Sequence, residues 1–233
     1  MNKVVLFDID GTLVLTGGAG MRAMNRACEE LLGSRDVLND IPVAGRTDWI
    51  ILHDATARTG HELTDRLLDA LRDRYVQLLR EEIQHRGHGV KAVMPGIRPL
   101  LDALTVRDDV FLGLLTGNFE EGARIKLEHF DLWDYFKCGA FGDDAADRNA
   151  LVPFALKRAR DCGIPEVPPH HVLVVGDTPH DVACARAAGA VPVAVATGSY
   201  TFEQMRETGS EIVFEDLSDT AAFLEIVDNS QAR

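Results

Sequence analysis

Residues 4–12 read Val4-Val5-Leu6-Phe7-Asp8-Ile9-Asp10-Gly11-Thr12, and the interpretation of this run decides the fold. Four consecutive apolar residues specify a strand buried on both faces, because a half-exposed strand alternates apolar with polar positions. The strand delivers Asp8 and Asp10 to its carboxyl end. There Gly11 lets the chain turn sharply, and Thr12 can bond its hydroxyl to the backbone. If the strand continued unbroken, both carboxylates would leave the same face and repel each other, an arrangement that a cation relieves.

A lone Asp-x-Asp can equally be an acidic turn after a core strand, so the remainder of the chain has to decide. Two further apolar runs end in polar clusters. Val110 to Leu115 leads into Thr116-Gly117-Asn118, and Val172-Leu173-Val174-Val175 leads into Gly176-Asp177-Thr178-Pro179-His180-Asp181. Shorter strand patterns lie at Cys138 to Phe141 and Val191 to Ala196, with helical segments between them and a helix-strand-helix segment at the end. Strands separated by helices predict a doubly wound parallel sheet, an α/β fold. At a switch point of such a sheet, the carboxyl ends of neighbouring strands share one crevice. Asp8, Asp10, Thr116, Asn118, Asp177 and Asp181 are therefore expected to converge there. Carboxylates gathered in this way form an all-oxygen site suited to Mg²⁺.

Residues 17–90 carry no strand pattern. One helix places Met24, Ala27, Cys28, Leu31 and Leu32 on one face and stops at Gly33. Thr47 caps a second helix that runs to about Gly60. Thr64 caps a third, with Leu67, Leu68, Leu71, Tyr75, Leu78, Leu79 and Ile83 as its apolar stripe. The expected organisation is an α/β core from 1–16 and 91–233 with an all-helical insertion at 17–90, hinged at Gly17, Gly18, Gly20 and Gly89. The segment Gly18-Ala19-Gly20-Met21-Arg22-Ala23 matches a dinucleotide-binding pattern, but it lies too far beyond the strand, and Asp8 and Asp10 would repel a pyrophosphate.

The chain has 233 residues, 46% of them hydrophobic, and a formal net charge of -13, which argues against a nucleic-acid or anionic-membrane surface. No apolar run is long enough to span a membrane, and the first strand begins within three residues of the start, so the expected location is the cytoplasm. Cys28, Cys138, Cys162 and Cys184 are scattered, which predicts buried free thiols, and His85 and His88 read as solvated side chains in a Gly-rich connector.

Three signatures give the chain its resemblance to the haloacid dehalogenase-like hydrolase superfamily: Asp8-Ile9-Asp10-Gly11-Thr12, Leu115-Thr116-Gly117-Asn118 and Gly176-Asp177-Thr178-Pro179-His180-Asp181. The arrangement looks most like the phosphoglycolate phosphatase and β-phosphoglucomutase branch, with residues 17–90 as its helical cap. The family places a Lys at the start of the helix after the third strand. Here Arg148 is the candidate for that role, and Lys157 lies too far along the helix.

The resemblance implies a Mg²⁺-dependent phosphatase of small phosphorylated metabolites, acting as a monomer or homodimer. Asp8 would be the nucleophile that forms an aspartyl-phosphate, and Asp10 the acid and base. Asp8, the Asp10 carbonyl, Asp177 and Asp181 would hold the metal. Thr116, Gly117, Asn118 and Arg148 would bind the phosphoryl group, and Arg22, Arg46 and Thr47 would face the substrate from the cap. A sugar phosphomutase would use the same residues, and a phospho-aspartate signalling module would leave the helical insertion unexplained.

Overall fold

The computed structural model describes residues 2–229. Six strands form one parallel sheet: β1 (Lys3–Phe7), β4 (Val110–Leu115), β5 (Cys138–Ala140), β6 (Val172–Gly176), β7 (Val191–Val195) and β8 (Ile212–Phe214). Their spatial order is β5-β4-β1-β6-β7-β8. Chain order therefore reverses between β1 and β6, and that boundary is the switch point of the sheet. The helices of this part are α4 (Ile97–Thr105), α5 (Glu120–Glu128), α6 (Leu151–Asp161), α7 (Pro179–Ala187), α8 (Phe202–Glu207) and α9 (Thr220–Asn229).

The central strand shows why its sequence has no polar alternation. Val5 and Phe7 project into one apolar layer with Leu112, Leu114, Leu173 and Val175, closed by residues of α4, α5 and α9. Val4 and Leu6 project into the opposite layer with Leu115, Val172 and Val174, closed by α6 and α7. Both faces are thus excluded from water, the condition for a continuous apolar run. Phe7 packs edge-on against Phe136, with ring centroids 6.1 Å apart, and stacks on Phe223 at 6.3 Å.

Between β1 and β4 lies a helical unit of α1 (Ala19–Leu32), α2 (Asp48–Arg58) and α3 (Asp65–Glu82) with its own apolar cluster, including Met24, Leu52, Leu71, Leu78 and Leu79. Thr47 and Thr64 cap α2 and α3 through their side chains, accepting from the backbone N–H of Ile50 and Leu67. Phe119 and Ile125, at the start of α5 and within it, extend this cluster into the sheet-bearing part. The chain leaves and re-enters the core through a two-stranded antiparallel ribbon of β2 (Val14–Thr16) and β3 (Lys91–Val93). Strands of three residues are too short to show a period, so the sequence gives no sign of this ribbon.

Two expectations need correction. Leu31, assigned to an inward helix face, is exposed, and Cys162 is an exposed thiol whereas Cys28 and Cys184 are buried. Leu31 sits in the last turn of α1 beside Gly33. Among the described residues no helix is long and apolar enough to cross a membrane. The aromatic contact at the sheet centre yields a prediction: Phe7→Ala should lose about 3–5 kcal/mol of stability in urea unfolding, the usual cost of emptying a buried aromatic site.

Candidate active site

The first turn after β1 brings Asp8 to the switch point. Ile9 carbonyl accepts from the N–H groups of Thr12, Leu13 and Val14, a tight bend that Gly11 enters at φ 88°, in the left-handed region. Asp177 arrives from the end of β6, and Thr12 donates its hydroxyl to Asp177 Oδ1 at 3.0 Å. A Cβ on Gly198, in the loop after β7, would stand 1.7 Å from Asp177 Oδ2, so this loop closes on the carboxylate only because it carries glycine.

Asp8, Asp177 and Asp181 are all buried, and each can bring a carboxylate oxygen within 4.8 Å of the others. Arg148 lies among them, 3.0 Å from Asp8 Oδ1 and 2.5 Å from Asp181 Oδ1. Asp181 uses its second oxygen to accept from the Thr178 N–H and hydroxyl at the start of α7. It therefore fixes Arg148 with one oxygen and caps its own helix with the other. Lys157, the other basic candidate of this region, is exposed and pairs with Asp161.

Asp10 has its side chain 42% exposed. Asn118 donates to its Oδ2 at 2.9 Å, and Lys126 Nζ reaches the same oxygen at 2.5 Å while also donating to Asn118 Oδ1 at 2.5 Å. Asn118 donates to the Thr116 hydroxyl as well, at 2.7 Å. The strand end Thr116-Gly117-Asn118 is thereby tied to Asp10 through a buried lysine that sequence reading passed over. A signal existed: Lys126 follows Gly122 by four and Ala123 by three, so it falls on the buried face of α5.

The helical unit covers this cluster directly. Asp48 donates its backbone N–H to the Gly117 carbonyl at 2.7 Å, and its carboxylate accepts from the Phe119 N–H at 2.9 Å. Thr47 donates its hydroxyl to the Ala146 carbonyl at 2.7 Å. Between the two parts lies a cavity of about 460 Å³, lined by Asp8, Asp10, Thr116, Asn118, Arg148 and Asp177 on the sheet side and by Arg46 and Asp48 among others on the helical side. That volume falls within the range of small-molecule sites, roughly 300–1,000 Å³. Arg22 is not part of the lining. It is held by Glu82 at 2.7 Å and by the Gly17 carbonyl at 2.6 Å.

Residues 5–195 match the family model of haloacid dehalogenase-like hydrolases. The chain is a haloacid dehalogenase-like hydrolase. It is 33% identical over 226 residues to a phosphoglycolate phosphatase of Rhodospirillum rubrum, covering 96% of this chain and 91% of that protein. It is 31% identical over 199 residues to a phosphoglycolate phosphatase of Chromobacterium violaceum, covering 84% and 86%. Among solved structures, a hydrolase from Pseudomonas syringae superposes with a TM-score of 0.69 at 24% identity, covering 97% of this chain and 98% of that one. CbbY from Rhodobacter sphaeroides in complex with phosphate superposes with a TM-score of 0.64 at 21% identity, covering 94% and 96%.

The electrostatics of this hydrolase fit a divalent cation. Burial, together with Asp181 and Asp10, raises Asp8 from 3.8 to about 6 in spite of Arg148. Asp177 is pushed well above its ordinary value by burial and by the charges of Asp8 and Asp181. Three buried carboxylates share one guanidinium, and a hard cation with oxygen ligands would restore the balance. Arg148 Nε is the one buried side-chain polar atom without a partner among the described residues, an N–H donor left for an anion.

Asp48 is raised from 3.8 to about 7, mainly by burial, against the charge of Lys126 and the Phe119 N–H. A carboxyl group whose folded pKa is raised contributes stability below its unfolded pKa, and this contribution is lost as pH rises through about 7. In metal-free urea unfolding between pH 4 and 8, the wild type should lose more stability with rising pH than Asp48→Asn. Equal slopes would show that Asp48 titrates normally.

Proposed function

We propose that the protein is a Mg²⁺-dependent phosphatase of small phosphate monoesters, phosphoglycolate phosphatase-like in its chemistry and acting through an aspartyl-phosphate on Asp8. The observation that carries this reading is the pairing of two differently placed carboxylates: Asp8, buried beside Arg148, and Asp10, open to the cavity and held by Asn118 and Lys126. Nucleophilic displacement at phosphorus needs a fixed carboxylate aimed at the reacting atom, and the leaving alkoxide needs a separate acid that can exchange its proton with solvent.

Asp8, the Asp10 backbone carbonyl and Asp177 would hold the cation, with Asp181 behind Arg148. Bound there, the cation would supply charge neutralisation for the incoming phosphoryl group. Asp8 attacks phosphorus and breaks the bond to the ester oxygen, while Asp10 gives that oxygen its proton. Asp10 then takes a proton from the water that cleaves the Asp8 acyl phosphate, which releases phosphate and regenerates Asp8. Arg148 Nε, the Thr116 hydroxyl, the Gly117 backbone and Asn118 would bind the phosphoryl oxygens, where transition-state charge gathers. Lys126 keeps Asp10 and Asn118 in register for both proton transfers.

Residues 17–90 act in this reading as a cap over a core of 1–16 and 91–233, opening on the β2–β3 ribbon to admit substrate and closing through Asp48 to exclude water. Of the three candidate cap residues, Arg46 lines the cavity, Thr47 holds the seam and Arg22 braces the hinge. The enzyme would act in the cytoplasm as a monomer or homodimer on metabolites, with no nucleic-acid partner.

Asp8→Asn should abolish Mg²⁺-dependent phosphate release from a panel of phosphate esters. Asp10→Asn should slow it by roughly 10²- to 10⁴-fold, the usual size of an acid-base contribution. Near-normal turnover by Asp8→Asn would refute the assignment. Lys126→Met should lower kcat by about tenfold or more, since a hydrogen bond to a charged group is worth about 1.5–3 kcal/mol.

A further inference from the structure

The cation balance of the cavity bears on what leaves with the ester oxygen. Each cation in the lining is already engaged by a carboxylate: Arg148 by Asp8 and Asp181, Lys126 by Asp10, and Arg46 by Asp54 at 2.7 Å. Arg46 also donates to the Pro42 carbonyl at 2.8 Å, so both terminal nitrogens of its guanidinium are engaged within the helical unit. The wall supplied by the helical unit is mostly apolar. Met21, Met24, Val43 and Ile51 line it, and Val90, 66% exposed, lines it from the re-entering connector. Besides Arg46, the ionisable groups of that unit that line the cavity are the buried acid Asp48 and the buried phenol of Tyr75, and neither is a cation.

A phosphoryl group needs the cations of the sheet side. A second anion on the leaving group would then face a carboxyl, a phenol and thioethers without a counter-charge, which is unfavourable. Methionine side chains adapt to apolar shapes of varied outline. We propose that the substrate is the phosphate monoester of an uncharged alcohol with an apolar body, not of a hydroxy acid. The inference rests on the phosphatase reading and narrows it. It separates this chain from the compound named in its phosphoglycolate phosphatase relatives.

The test compares kcat/KM of the wild-type enzyme with Mg²⁺ for ethyl, propyl and butyl phosphate and for 2-phosphoglycolate, with p-nitrophenyl phosphate as a reporter of the reacting centre and Asp8→Asn as the blank. Propyl phosphate should exceed 2-phosphoglycolate by about tenfold or more, the worth of one unpaired charged contact. The alkyl series should rise by roughly fourfold per methylene, as burial of apolar surface requires. Met21→Lys and, as a second site, Val43→Lys should each raise the ratio of 2-phosphoglycolate to propyl phosphate turnover by about tenfold through a new ion pair. Preference of the wild type for 2-phosphoglycolate, or a flat alkyl series, would overturn the inference while p-nitrophenyl phosphate turnover upheld the phosphatase. No Asp8-dependent phosphate from any ester would overturn both.

Discussion

Crowding of like charge at the sheet's switch point is the constraint on which this structure depends. Asp8, Asp177 and Asp181 are buried together, with Arg148 as the counter-ion of Asp8 and Asp181. Such a cluster opposes folding, since burial and mutual repulsion both favour protonation, as the raised values of Asp8 and Asp177 show. The surrounding fold has to offset this. It does so with two full apolar layers on the central strand and with neutral donors on the carboxylates: Thr12 on Asp177, and the Thr178 N–H and hydroxyl on Asp181.

The same economy of charge extends across the seam. Lys126 is buried against Asp10 and Asn118, and Asp48 crosses from the helical unit to the Phe119 N–H at the start of α5. Tyr75 lies over this junction, with its ring centroid 6.5 Å from that of Phe119. The helical unit thus meets the core through polar contacts at the reacting end and apolar contacts behind them. The apolar part of this seam is a modest contact around Phe119 and Ile125.

The sheet was readable from residues 4–7, 110–115 and 172–175 because a strand buried on both faces must be apolar throughout, whatever it packs against. The polar clusters that end those strands were readable for a related reason, since a parallel sheet delivers all its carboxyl ends to one side. The ribbon of β2 and β3 was not, since three residues carry no period. Arg22 illustrates the limit for charged side chains. A basic residue just beyond a glycine hinge reads as a substrate contact, yet Glu82, sixty positions away, takes it at 2.7 Å.

By itself, then, the order of residues determined an α/β sheet with an acidic crevice and a helical insertion. These follow from local periodicity and from the handed, one-sided geometry of parallel strands. Tertiary structure alone decided which charges neutralise which. Lys126 finds Asp10 across 116 positions and Arg148 finds Asp181 across 33, pairings that no local pattern encodes. The physical reason is that Coulomb attraction depends on distance and burial in space, and both are fixed only when helix and sheet have packed.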